Sequence, residues 1–381
     1  MRHIYIFILF LIMFRTEAQT SVLNLADSLY ATGNYSKAIE HYKSYKTPSE
    51  VYNKMAKSYV AIGNYDEALK NYEAHISANP TDALTTFEYA ILLSQTKKNK
   101  EASMVFKDLV TMDSKNPNYH YQLGLALEKM NDSTAIESYR STFQLDSTHQ
   151  KAIYKIAKDF LQKGKNQLAE DYADIGLKTY ENNLELISLK AQNYYLKENY
   201  KNAAMWFEKL IALGESSEFV HEKLSLCYDH LYEFEKAIEQ RQLALNYNPS
   251  DAVAIYVIGT YYFELSDFVN AEKYIKDALK LMDSPMDAEY AQLAVVLNSQ
   301  KKHDEAIAAL KKAIKENPEN IGVEFMLVLT KDRYYADIDS KIEAYEDFKR
   351  RFPSDNYTEY IDARISKLKN EKFIKEGAVN D

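Results

Sequence analysis

The chain has 381 residues, 46% of them hydrophobic, with nine glycines, seven prolines, one cysteine and a formal net charge of −9. Net acidity argues against nucleic acid and anionic lipid as partners, since both require a cationic face. A lone cysteine, Cys227, rules out an internal disulfide, and glycines never closer than twelve residues leave no phosphate-binding loop or dinucleotide fingerprint.

The first element is a leader. Met1, Arg2 and His3 make a basic start, Ile4 to Phe14 is an apolar run of eleven, and Thr16-Glu17-Ala18 places small residues where a signal peptidase cuts, which predicts a cleaved signal peptide over 1–18. Eleven apolar residues fall short of the roughly 17 to 25 that a spanning helix needs. The expectation is an exported chain, periplasmic or secreted, with no transmembrane segment after cleavage. No cysteine follows the run to carry a lipid, and removing the leader's net +1 from −9 leaves −10.

From residue 19 onward the chain repeats itself. "GNYSKAIEHYK" at 33–43 returns as "GNYDEALKNYE" at 63–73, and the alanine within it recurs at 38, 68, 102, 135, 169, 203, 237, 271 and 306, spaced 30 once and then 33 to 35. Twelve residues before each marker, eleven in the fourth unit, stands a second small residue: Ala26, Ala56, Ala90, Gly124, Ala157, Ala191, Ser225, Gly259 and Ala294. Two small residues per unit predict two helices in close contact. Between Val51 and Pro80, Tyr52, Met55, Ala56 and Tyr59 line one helical stripe, and Tyr65, Ala68, Leu69, Tyr72 and Ile76 line a second. Gly63-Asn64 makes the turn between them and Asn79-Pro80 the stop.

These units resemble tetratricopeptide repeats. The match runs through Leu224, Ser225, Tyr228, Ala237, Ala244 and Pro249 in unit seven, and through Tyr290, Leu293, Ala294, Ala306, Ala313 and Pro318 in unit nine. The resemblance implies an all-α, right-handed superhelical solenoid of about ten helix-turn-helix repeats spanning 19–353, in a protein of exported bacterial type. Nine units begin near 19, 49, 83, 117, 150, 184, 218, 252 and 287. The tenth is degenerate, with Leu329 and Lys341 at its small places. A capping helix is expected over 354–375, closing the open end of the stack, and a disordered tail over 376–381.

Candidate chemistry is sparse. His221, Cys227 and His230 lack the spacing of a metalloprotease helix, and the carboxylates of "NYDEALKNYE" read as solvated helix starts. No catalytic residue, metal ligand or cofactor is assigned, and the chain is read as a non-enzyme.

The resemblance implies a groove lined by the first helix of each unit, at its second, fifth, ninth and twelfth places. The residues there include Asn53, Lys57, Phe87, Tyr121, Lys151, Tyr154, Lys158, Tyr195 and Tyr256, with Lys155 adjacent. Lys151, Lys155 and Lys158 share one helical face and point to an acidic segment in the partner. A carboxylate clamp of the kind some repeats of this family carry is not formed, because Leu23, Asp27, Leu84 and Glu88 occupy its basic places. The implied function is a scaffold binding a protein or peptide in the bacterial envelope. A carbohydrate-binding or carbohydrate-active protein and a structural spacer in an envelope assembly stay open as alternatives.

Overall fold

A computed structural model describes residues 21–282, 286–353 and 356–377; the expected signal segment 1–18 lies outside them. Every regular element among the described residues is an α-helix. The helices fall into two compact bodies, one ending at Leu189 and the other starting at Lys190.

In the first body, α1 (21–31) precedes α2 (Tyr35–Lys43), and α3 (Pro48–Ala61) pairs with α4 (Tyr65–Ala78). The pairs α5 (Ala83–Gln95) with α6 (Asn99–Met112), α7 (Pro117–Glu128) with α8 (Ala135–Leu145), and α9 (Gln150–Gln162) with α10 (Asn166–Thr179) follow. The boundary falls within α11 (Leu184–Leu196). The second body continues with α12 (Tyr200–Ala212), then pairs α13 (Glu218–His230) with α14 (Phe234–Leu245) and α15 (Ala252–Glu264) with α16 (Phe268–Leu281). It closes with α17 (Asp287–Ser299) and α18 (His303–Glu316), α19 (Ile321–Tyr334) and α20 (Ile338–Arg351), and α21 (Thr358–Gly377).

Local chemistry sets these boundaries. Pro48 and Pro117 sit at helix starts, where their missing N–H costs nothing. Asp82 and Asp251 accept the backbone N–H groups of Thr85 and Ala254 at 3.1 and 3.0 Å, capping α5 and α15. Each turn within the first nine pairs passes through one left-handed residue, and the α19–α20 turn has none. Gly33, Gly63 and Gly164 take that place at no steric cost, whereas Lys97, Asn131, Glu198, Tyr232, Ser266 and Lys301 take it with φ of 56 to 63°.

The small residues stand where helices touch. Ala38, Ala56, Ala68, Ala157 and Ala169 in the first body, and Ala203, Ser225, Ala237 and Ala306 in the second, show no exposed surface. At Gly124 even a methyl group is excluded, since an added Cβ would lie 2.6 Å from Tyr139 Cε1. Around these contacts pack the large buried chains, Phe106, Leu109, Ile153 and Ile156 in the first body, and Phe207, Leu310, Tyr345 and Phe348 in the second. At about 25 cal/mol per Å² of apolar area, that burial is the main stabilising contribution.

Helix α21 packs on α20 through Ile361, Ile365 and Leu368 and turns Asp362, Lys367 and Lys369 to solvent. It continues through Gly377, so the tail expected to be disordered from 376 is helical at its first two residues, and 378–381 lie outside the described residues. In the tenth repeat Lys341 replaces the small residue by placing its Nζ 3.5 Å from the Asp332 carboxylate.

Candidate functional site

The first helices of three successive repeats form one wall of a cavity of about 520 Å³ in the first body. Tyr30 comes from the end of α1, Lys57, Val60 and Ala61 from α3, and Phe87, Glu88, Ile91 and Gln95 from α5, with Tyr72 of α4 behind them. The spacing of the repeat makes this wall continuous, because equivalent turns of α1, α3 and α5 face the same side. Its floor carries an ion pair. Lys57 Nζ lies 3.0 Å from Glu88 Oε1, and the Tyr72 hydroxyl reaches the same carboxylate at 3.5 Å. The Phe87 ring is held edge-on by Phe106 at 5.9 Å and tilted against Tyr119 at 5.7 Å.

A second cavity, about 300 Å³, lies in the second body between α17 and α19, again between first helices of adjacent repeats. Val295, Met326 and Leu329 line it with Asn298, Thr330 and the exposed Arg333. Its polar side is pre-ordered, since Asn298 Nδ2 donates to Thr330 Oγ1 at 2.9 Å while Asn298 Oδ1 meets His303 Nδ1 at 2.8 Å.

The residues nominated from sequence divide between groove and scaffold. Lys57 and Phe87 line the larger cavity. Asn53 is tied by its amide to Thr85 Oγ1 at 2.7 Å. Tyr121 belongs to the core rather than the groove: it is only 7% exposed, between the rings of Tyr139 at 5.7 Å and His149 at 4.7 Å. Tyr256 is partly buried against the core of the second body. Tyr195 is half-buried, with Tyr200 at 5.6 Å. Tyr154 is half-buried with the exposed Lys158 over its ring at 5.7 Å, and Lys151 is exposed.

Lys155 departs from the expected trio. Its Nζ sits 2.7 Å from Glu128 of the preceding repeat, which also accepts the Tyr139 hydroxyl at 2.7 Å. Burial works against the Glu128 carboxylate, yet the hydrogen bonds from Lys155 and Tyr139 hold it below the ordinary range. The lysine is therefore part of the scaffold, not a free cation.

The same latch occurs elsewhere. Asp27 takes the Tyr42 hydroxyl at 2.6 Å and Lys54 Nζ at 2.6 Å; Asp332 takes the Tyr345 hydroxyl at 3.0 Å and Arg364 Nε at 2.8 Å. Each time a tyrosine on the second helix of a repeat and a cation from the next helix down the chain meet one carboxylate on the first helix. Residues 11 to 32 positions apart are joined this way, and no short motif announced it.

Nucleophilic and metal chemistry find no support in the histidine and cysteine cluster. The His221 ring lies 2.7 Å from Ser216 Oγ and 2.8 Å from Gln240 Oε1, and His230 stacks on Tyr200 at 3.9 Å. Burial pushes the Cys227 thiol up to about 12, so it stays protonated at neutral pH. No group of three or more His, Cys, Asp or Glu among the described residues is arranged to hold a metal ion. None of the described helices is long and apolar enough to cross a membrane.

Comparison with known proteins matches the tetratricopeptide repeat models at residues 53–117 and 290–320. No curated protein matches the sequence. Among solved structures, the C-terminal part of a TPR repeat-containing protein from Cytophaga hutchinsonii is similar at 18% identity and a TM-score of 0.51, over 62% of this chain and 97% of that one. A tetratricopeptide repeat protein from Parabacteroides merdae (16% identity, TM-score 0.40) covers 74% of this chain and 98% of that one. Yeast Tom70 (14%, TM-score 0.37) covers 96% and 98%. Both matched stretches fall on repeats already visible as helix pairs with buried small residues, and the chain is a tetratricopeptide repeat protein.

Proposed function

We propose that the chain is a protein–protein interaction scaffold that holds a segment of a partner protein against the first helices of its early repeats. The observation that carries this reading is the cavity of about 520 Å³, in which Tyr30, Val60, Phe87 and Ile91 offer apolar surface around a self-neutralised Lys57–Glu88 pair. Apolar and aromatic side chains in a concave wall are the anchors from which protein recognition draws most of its energy. The recurrence of a cavity at the equivalent place between α17 and α19 supports the same face as the binding face. With Lys57 and Lys155 ion-paired inside the array, an acidic partner segment would rest on Lys151 and Lys158 alone.

A photo-crosslinking residue placed at Ile91 tests this against one at Met104, which is exposed on α6 of the same repeat. Adducts to a discrete protein from Ile91 and not from Met104 are expected. Equal adducts from both, or adducts from Met104 alone, would remove the groove reading. We also propose export to the periplasm or beyond, supported by the basic start and the apolar run Ile4 to Phe14. An alkaline phosphatase fused after Asp381 becomes active only if the chain is translocated.

A further inference from the structure

A second surface lies on the turns within the helix pairs of the second body, on residues that line neither cavity. Aromatic rings there form two clusters on three repeats. In one, Tyr200 stacks on His230 at 3.9 Å; in the other, Tyr232 meets Phe234 at 6.1 Å and Phe234 meets the buried Tyr261 at 6.0 Å. Tyr232 is 81% exposed.

Tyr232 is also the residue its backbone suits least. It occupies the left-handed turn position, with φ of 59°, which Gly33, Gly63 and Gly164 fill in other repeats without strain. Among the described turn residues of this kind it is the one aromatic. Burial does not repay the strain, because most of the ring stands in water, and a phenol so placed is suited to contact something outside the chain.

Charge selects the partner. The three turn stretches 195–201, 229–236 and 261–268 hold Glu198, Asp229, Glu233, Glu235, Glu264 and Asp267 against Lys197, Lys201 and Lys236. Of these lysines, Lys236 is held by Glu233 at 2.5 Å and Lys197 lies over the Tyr194 ring at 5.5 Å. Electron-rich ring faces bordered by carboxylates attract guanidinium and ammonium groups through cation–π contact and charge together.

We propose that this aromatic turn edge is a docking site for a cationic, arginine-bearing segment of a partner protein, distinct from the groove. Tyr232 supplies the central ring, and the exposed Glu198, Glu235 and Glu264 supply the charge. The site stands independently of the groove reading, since none of its residues lines either cavity.

The test uses the chain from Gln19 onward and a fluorescent Arg-Gly repeat peptide, with Glu-Gly and Ser-Gly peptides beside it, read by anisotropy at low and physiological salt. Tyr232→Gly removes the ring, leaves the net charge unchanged and relieves the left-handed strain. It should weaken Arg-Gly binding roughly two- to fivefold, the factor one exposed cation–π contact supports, while the melting temperature holds or rises. Tyr232→Phe keeps the ring and should keep the affinity. Tyr180→Ser, which removes a similarly exposed tyrosine in the first body, should leave binding unchanged. The proposal is overturned if Tyr232→Gly binds Arg-Gly as the parent does, if Tyr180→Ser loses as much, or if the Glu-Gly or Ser-Gly peptide binds as well as Arg-Gly.

Discussion

Replacing Asp332 by Ala should loosen the C-terminal end of the second body specifically. The carboxylate is 13% exposed and accepts Arg364 Nε and Nη2 at 2.8 and 3.1 Å and the Tyr345 hydroxyl at 3.0 Å, with Lys341 Nζ at 3.5 Å. Its loss leaves the buried Tyr345 hydroxyl without its acceptor and the half-buried Arg364 guanidinium with the longer contact to Glu371 at 3.4 Å. A charge-assisted hydrogen bond contributes about 1.5–3 kcal/mol and a broken buried pair about 3–5, so with partial solvent access we expect roughly 2–3 kcal/mol. Helix α21 docks through this latch, a short apolar strip and solvent-screened ion pairs such as Lys349–Asp362 and Lys369–Glu346, so the loss should appear there before it appears globally. Hydrogen exchange with mass spectrometry is the assay, comparing peptides of α20 and α21 with peptides of α15. The sign with pH follows from the pair. Burial opposes the Asp332 charge, but Arg364 and Tyr345 hold its carboxyl below the ordinary range, so its contribution is full above about pH 4, the unfolded value, and is lost as pH falls through the depressed folded value. Protection in α21 equal to the parent at pH 7 would refute the reasoning.

Three further outcomes are expected. Ala203→Phe, at a contact with no exposed surface, should overpack α11 against α12 and cost about 1–3 kcal/mol, whereas Lys201→Phe on the exposed side should be nearly silent in thermal melts. Glu272 binds Lys276, Lys302 and Gln300 at 2.6, 2.8 and 2.7 Å; although burial opposes its charge, these partners lower its carboxyl to about 2. Its stabilisation is therefore complete above about pH 4.3 and lost as pH falls toward 2, so melts of the parent and of Glu272→Gln should differ most near neutrality and converge in acid. Lys155→Ser should cost up to about 1 kcal/mol through its solvent-screened pair with Glu128, while Lys151→Ser and Lys158→Ser leave denaturant midpoints unchanged.

The periodic part of the fold was readable because packing demands it at every repeat. A residue with bulk at Ala56 or Ala68 would separate two helices, so the chain keeps small residues there, and their spacing alone reveals the array. Assigning a residue to groove or core was harder. Tyr121 and Phe87 hold the same place in successive repeats, yet Tyr121 is covered by Tyr139 and His149 while Phe87 lines the open cavity. The difference lies in the neighbours' side chains, to which a helical period is blind. The latches escaped for a related reason: Lys155 and Glu128 are 27 residues apart, and each alone looks like an ordinary surface charge. Lys57 lines the larger cavity, but its pairing with Glu88 depends on a contact between helices of neighbouring repeats, which its place in the repeat does not show.

The central claim is that the face built by α1, α3 and α5 holds the partner. Its most direct measurement is the affinity, by surface plasmon resonance, of the protein crosslinked through Ile91 for an Ile91→Asp variant that keeps the parent's melting temperature. A carboxylate in that wall forfeits an apolar anchor and faces Glu88, so affinity should fall at least about tenfold, in keeping with the 1.5–3 kcal/mol that a buried aliphatic side chain contributes. Parental affinity for the same partner would contradict the account.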